Sequence, residues 1–257
     1  MWTLQKINFM TTAAYKQNFL IMTISVAIHM AMNLIFLKVI FGYINNIAGW
    51  SYFEVLIVIG SVMIIDGVVW VFGARISALG RNIQRGLLDG MMIKPMDTQF
   101  LISFWQCDHE DFPRIVIGGS LVCYGAANLG LTTHAILLNL ILYLILLFNA
   151  TIIVYSFNML IRTTYFWTIV DFSLHNVIEA FTDISKYPTD IFNNLFIKTL
   201  FTFLLPLAFV ATVPTRVLAK GFDWRLVLGS FLMAAIFFAL ARKFWLFGLR
   251  HYKSASS

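Results

Sequence analysis

Asp171, His175 and Glu179 follow one another at intervals of four residues. On an α-helix that interval drifts by only about 40° per step, so the three side chains share one face. Such a face suits a polar contact between helices, the lining or gate of a translocation path, or the centre of an intramembrane enzyme. His175 and Glu179 also have the spacing of helical zinc ligands, but no second histidine or H-E-x-x-H pattern accompanies them, so no metal site is expected. Asp66 is a further acid, set inside a long apolar run, where lining a cavity and bonding to another helix are equally good accounts. His29 and Asn33 form an i,i+4 polar pair in the preceding run, and a satisfied packing histidine is the expectation for His29. The run CDHED (107–111) gathers potential ligands, yet neighbouring residues on a helix point in different directions. It is expected to be a solvated cytoplasmic turn, with Pro113 and Arg114 marking the membrane entry that follows. No residue is assigned a catalytic role.

The elements that must hold these residues are apolar. The 257-residue chain is 60% hydrophobic and only 12% charged, whereas a soluble domain carries roughly 25% charged residues. Its outer surface must therefore be lipid. Six long apolar segments, Asn18–Ile40, Val55–Phe72, Ile115–Leu131, Ile136–Leu160, Leu195–Val213 and Leu226–Phe247, approach or reach the roughly 20 residues needed to cross the hydrocarbon core. They are continuous and lack period-two alternation, which makes them helices rather than barrel strands. No cleaved signal peptide is expected, because the first apolar run is too long and no small-x-small site follows it. Residues 1–16 mix Trp2, Phe9 and Tyr15 with Lys6 and Lys16, the pattern of a helix lying in the membrane interface. Cys107 and Cys123 lack metal-ligand spacing and read as reduced thiols. The net charge of +6 reads as basic loops on the cytoplasmic side, not as a nucleic-acid surface.

Arg75, Arg81, Arg85, Lys94 and Arg114 cluster around one loop, Arg162 follows the fourth run, and Arg242, Lys243, Arg250 and Lys253 close the chain. Placing all of these in the cytoplasm puts both termini inside and makes the number of spans even. Three helix-like segments follow Arg162, so one of them does not cross. Hydropathy demotes 165–183, which contains Asp171, His175, Glu179 and Asp183. The alternative is that 195–213, interrupted by Pro206, followed by Pro214 and marked by Lys198, is re-entrant.

The stretch RNIQRGLLDGMMIKP (81–95) lies between two apolar runs. As a helix over 80–92 it aligns Arg81, Arg85 and Asp89 in one charged stripe, ended by Pro95. From spacing alone it is a solvated loop helix or a handle for a partner protein. Four further passages stand in order around it: GWSYFEVLIVIG (49–60), YPTDIF (187–192), PLAFVATVP (206–214) with AKG (219–221), and WLFGLRHY (245–252). Together with IQRGLLDGMMIKP (83–95) they resemble the permease subunits of type-2 ABC exporters, the six-span class that includes drug, lipid and polysaccharide exporters. Met92 stands where that pattern usually has Leu.

The resemblance implies an all-α polytopic fold: one permease domain over 1–257 with six spans, an interfacial helix at 1–16, a cytoplasmic loop at 75–112 and an outer re-entrant element at 184–224. It favours 165–183 as the fifth span, with 195–213 dipping back. Arg81, Arg85, Gly86, Leu88, Asp89, Lys94 and Pro95 would then form a coupling helix that docks in an ATPase subunit, and Asp66, Asp171, His175, Glu179, Pro206 and Pro214 would line the path or its gate. The chain has no G-x-x-x-x-G-K-[ST] loop, so ATP and Mg are expected on two separate ATPase subunits, beside a second permease, related or identical. A plasma-membrane location with both termini cytoplasmic follows. An intramembrane enzyme, or an anchor that does not itself transport, is the rival reading, and no feature of the sequence identifies the cargo.

Overall fold

The computed structural model describes residues 16–104, 107–130, 133–168 and 171–252. The described residues are helical apart from short connections and one isolated bridge between Ile47 and Trp50. In chain order the helices are α1 (Lys16–Tyr43), α2 (Tyr52–Ser77), α3 (Leu79–Gln84), α4 (Leu87–Met92), α5 (Thr98–Phe104), α6 (Phe112–Ala127), α7 (Thr133–Thr163) and α8 (Asp171–Ser185). A short α9 (Leu195–Thr199), α10 (Val213–Lys220) and the long α11 (Trp224–His251) complete the set. The interfacial helix expected at 1–16 falls outside the described residues.

Among the described residues, four helical stretches are long and apolar enough to cross a membrane: Phe19–Tyr43, Tyr52–Gly73, Leu138–Phe166 and Trp224–His251. The chain is thus an all-α, multi-pass membrane protein. α6 is apolar but has only 16 residues, about 24 Å of helix against a hydrocarbon core of about 30 Å. The segment 195–220 forms two pieces, Leu195–Leu204 and Ala208–Lys220, bent by 72° at their junction. Pro206 lies in that junction, and π-helical turns flank it at Leu200–Leu204 and Ala208–Thr212. A proline cannot donate the next ladder bond, and a widened turn is one way a helix absorbs that loss.

The stretch 165–183 departs from expectation. Only Asp171–Ser185 forms a regular helix, 15 residues long and about 22 Å in length. Phe181 stacks on Phe157 of α7 with ring centroids 4.1 Å apart, which fixes α8 against the body. Beyond Ser185 the chain continues in turns to Thr189, whose amide donates to Thr212 Oγ1 at 3.2 Å.

The helix expected over 80–92 is also corrected. It is two short helices, α3 and α4, separated at Gly86, whose φ of 67° lies in the left-handed region. A residue without Cβ adopts that conformation at little cost, and here it ends one helix and opens another. The continuous stripe Arg81–Arg85–Asp89 is therefore broken. Lys94 and Pro95 lie beyond α4, which closes at Met92.

α2 stands at the centre. Glycines let its backbone meet that of α6: a Cβ on Gly60 would sit 2.7 Å from Gly118 O, and one on Gly118 would sit 2.7 Å from Gly60 O. α7 closes the other side, where Tyr143, Leu146, Ala150 and Ile153 are buried with Ile57 of α2. The hydroxyls of Ser61 and Tyr143 meet there at 2.8 Å, so two polar groups in the core satisfy each other.

Candidate functional site

A groove of about 560 Å³ runs between α1, α2, α8 and the start of α6. Its apolar wall comes from α1 and α2, with Val26 and Met30 facing Ile59, Val62 and Met63. Its polar floor brings together residues far apart in sequence: Asp66 of α2, Asp111 and Arg114 at the entry to α6, and Glu179 of α8. Trp70 closes one side, while His29 and Asn33 reach in from α1. Asn33 donates to the carbonyl of His29 at 2.8 Å, so part of this pair's polarity is spent within its own helix.

Arg114 is the pivot of the floor. Its guanidinium donates to Asp66, and its second nitrogen lies 3.3 Å from Asp111 Oδ1. Charges this deep in an apolar bundle persist only as partners. Burial pushes the Asp111 carboxyl above its ordinary value, against the pull of Arg114, and the nearby carboxylates of Asp108, Asp66 and Glu110 push the same way. At the far end Lys186 pairs with Asp183 at 2.6 Å.

The structure therefore joins Asp66 and Glu179 of the expected path residues in one groove. Asp171 and His175 open α8, and their side chains lie outside the described set. Pro206 and Pro214 belong instead to the bent pair, Pro206 at the junction and Pro214 in the first turn of α10. Sequence reasoning took Arg114 as a boundary mark and missed its partnership with Asp66. Opposite charges at the ends of neighbouring apolar runs were the available signal. CDHED, expected as a free turn, instead brings Asp111 into the groove wall.

A second polar cluster sits at the other end of α2. Asp190 accepts from Lys198 Nζ at 2.7 Å, from Trp50 Nε1 at 3.1 Å and from Arg216. Burial raises its carboxyl, but these three donors outweigh burial and hold it below the ordinary carboxylate value. Lys220 lies 4.6 Å over the Trp50 ring, donates to Gly49 O at 3.1 Å and pairs with Glu54 at 3.7 Å. The bent pair is thus tied to the loop before α2.

At the α3–α4 end, Arg162 of α7 donates to Ser77 O at 3.1 Å. Arg242 of α11 grips both carboxylate oxygens of Asp97, at 3.0 and 2.5 Å, and Gln99 at 2.9 Å. Leu79 and Leu88 are fully buried, while Arg81 and Arg85 are exposed beside Leu87 and Ile93.

A continuous set of apolar helices with a polar groove fits many transporters, and the sequence decides among them. The family described as ABC-2 family transporter protein matches residues 27–256. The chain belongs to the ABC-2 transporter family. No match was found among curated proteins or among solved structures. As an ABC-2 family member the chain is a permease of an ABC transporter, a membrane subunit for transport rather than an enzyme. The passages that carried the resemblance lie inside the matched range.

Proposed function

We propose that this permease forms half of the translocation pathway of an ATP-driven exporter and is driven by a separate ATPase subunit that binds ATP and Mg. Two permease subunits, related or identical, flank the path, and two ATPases dock beneath them in the cytoplasm. Both termini and the loop 75–112 face that side, a placement supported by the clustering of Arg and Lys in this sequence. The membrane is the plasma membrane, with six crossings completed by α6 and by the α8 segment, and with 195–213 as a re-entrant outer element.

The observation that carries this reading is the α3–α4 pair. It presents exposed Arg81 and Arg85 beside exposed Leu87, Met92 and Ile93, a mixed surface suited to a groove on a partner protein. Behind that surface Leu79 and Leu88 are buried, and Arg162 and Arg242 bolt the loop to α7 and α11. A push on so anchored an element moves the helices as rigid bodies. Arg81→Glu and Arg85→Glu remove no buried contact, so insertion and melting temperature are expected to stay near wild type. Each is expected to weaken copurification of the ATPase or to uncouple ATP hydrolysis from transport. Wild-type ATPase recovery and wild-type transport in both variants would overturn the assignment.

A further inference from the structure

The last turns of α11 carry a face that the fold leaves open. Between Arg225 and Arg242 the helix has no charged residue, so that stretch lies in the hydrocarbon and the turns beyond Arg242 lie among the lipid headgroups. Length agrees, because α11 has 28 residues, about 42 Å of helix against a core of about 30 Å. At that depth Trp167 packs on Phe244 and on Phe247, in each case with ring centroids 5.6 Å apart, and Phe247 meets His251 at 4.3 Å. Trp167 and Phe247 remain 45% and 51% exposed. Half-exposed aromatic rings at the end of a span form an interfacial belt.

Lys243 and Arg250 bracket this belt. Seven positions apart in sequence, they differ by only about 20° around the helix and stand about 10 Å apart along it, with Phe247 between them. Both are exposed, and neither side chain makes a hydrogen bond or an ion pair with a described residue. Asp97 is gripped by Arg242 on another side of the helix, about 100° from Lys243. The helix dipole accounts for a cation at Arg250, in the last turn, but it fades before Lys243 is reached. The same face continues towards the middle of the membrane as Leu240, Ile236 and Leu232, all about half exposed. Two long stems that reach towards one point above an apolar ridge suit an anionic head with acyl chains beneath it.

We infer that this face of α11 is a binding site for an anionic phospholipid. The phosphate sits between Lys243 and Arg250 beside the Trp167–Phe247 belt, and the acyl chains lie along Leu240, Ile236 and Leu232. The site belongs to the leaflet that the proposed topology makes cytoplasmic.

Phosphatidylglycerol and phosphatidylcholine with identical acyl chains differ in net charge and separate a headgroup site from general lipid contact. The full-length permease in a neutral detergent is titrated with each, and bound lipids are counted by native mass spectrometry. A saturable phosphatidylglycerol site is expected, with none for phosphatidylcholine. Lys243→Gln and Arg250→Gln change exposed side chains, so melting temperatures are expected to stay near wild type. Each is expected to weaken phosphatidylglycerol binding about fivefold, the worth of one cation beside an anionic surface. Lys38→Gln removes an exposed cation of α1 and is expected to leave the affinity unchanged. Inorganic phosphate at equal concentration is expected not to compete, because it has no chain to lie along Ile236. Saturable phosphatidylcholine binding, no saturable phosphatidylglycerol site, or competition by inorganic phosphate would overturn the inference. So would an unchanged affinity in either folded variant, or an equal weakening by Lys38→Gln. Unchanged lipid binding with loss of ATPase copurification would assign the face to the ATPase instead. The titration uses the permease alone, so its failure leaves the ATPase-docking reading at Arg81 and Arg85 standing.

Discussion

Asp190 shows how one side chain organises a region. Its carboxylate gathers Lys198, Arg216 and the Trp50 indole, joining three stretches of chain. Asp190→Asn leaves two cations facing each other without their counter-charge. The expected loss is about 1–2 kcal/mol, kept small because Lys198 and Arg216 are more than a third exposed to solvent. A thermal melt of the detergent-solubilised protein measures it, and an unchanged melting temperature would make the cluster ornamental. The pH dependence has a definite sign. The carboxyl is held below its ordinary value in the folded state, so its contribution is complete above the unfolded pKa of about 3.9 and is lost as pH falls through the lower folded value. The melting temperature is expected to drop in that acid range for the wild type, and to drop less for Asp190→Asn. None of this was readable from spacing. Asp190 and Trp50 are 140 positions apart, and the sequence offered only a resemblance around YPTDIF. Asp66 and Glu179 were readable as acids that a lipid face would not tolerate, but the third member of their site, Arg114, was hidden by its place at a helix entrance.

Among the elements, the α2–α6 seam makes the sharpest demand on sequence. A methyl group on Gly118 would lie 2.7 Å from Gly60 O and 2.9 Å from Met63 Cβ. Neither neighbour is the end of a flexible chain, so the helices must separate. Gly118→Ala is expected to cost about 1–3 kcal/mol, the range of an overpacked core. Gly119→Ala, with nothing within 4 Å of the added atom, is expected to be neutral or to stabilise slightly through helix propensity. Comparing the two melting temperatures isolates the seam, and equal shifts would dissolve it. The long helices were readable because each is a continuous apolar run with a single possible period. The break in 80–92 was not, since the Arg81–Arg85–Asp89 spacing fits one helix as well as two, and Gly86 reveals itself only through its left-handed backbone. The segment 165–183 was half readable. Its acids argued against a full crossing and the family pattern argued for one, and the structure gives a helix of 15 residues that continues as turns.

The whole molecule has two polar ends of different character. One carries the exposed Arg81 and Arg85; the other carries Trp50, Asp190 and the bent pair. The proposed topology sets the first in the cytoplasm and the second outside. Single cysteines at Ile93 and Leu195, 85% and 78% exposed, in a background lacking Cys107 and Cys123, test this with a reagent that does not cross membranes. Labelling of Leu195→Cys from outside and of Ile93→Cys only after permeabilisation is expected, and the reverse would invert the molecule. Class and rough architecture were readable at this scale because composition alone forbids a watery exterior, whereas the pairing of distant polar groups needed coordinates. The seam also has a consequence for the surrounding lipid. α6 supplies only about 24 Å of helix, and its glycine contacts with α2 hold its tilt to that of its neighbour. A free helix answers such a mismatch by changing its angle, but a clamped one passes the strain to the bilayer. With α6 crossing the membrane as proposed above, the hydrocarbon beside it would pinch by about 6 Å, that flank would gather short or disordered acyl chains, and the permease would be sensitive to the thickness of the membrane that holds it.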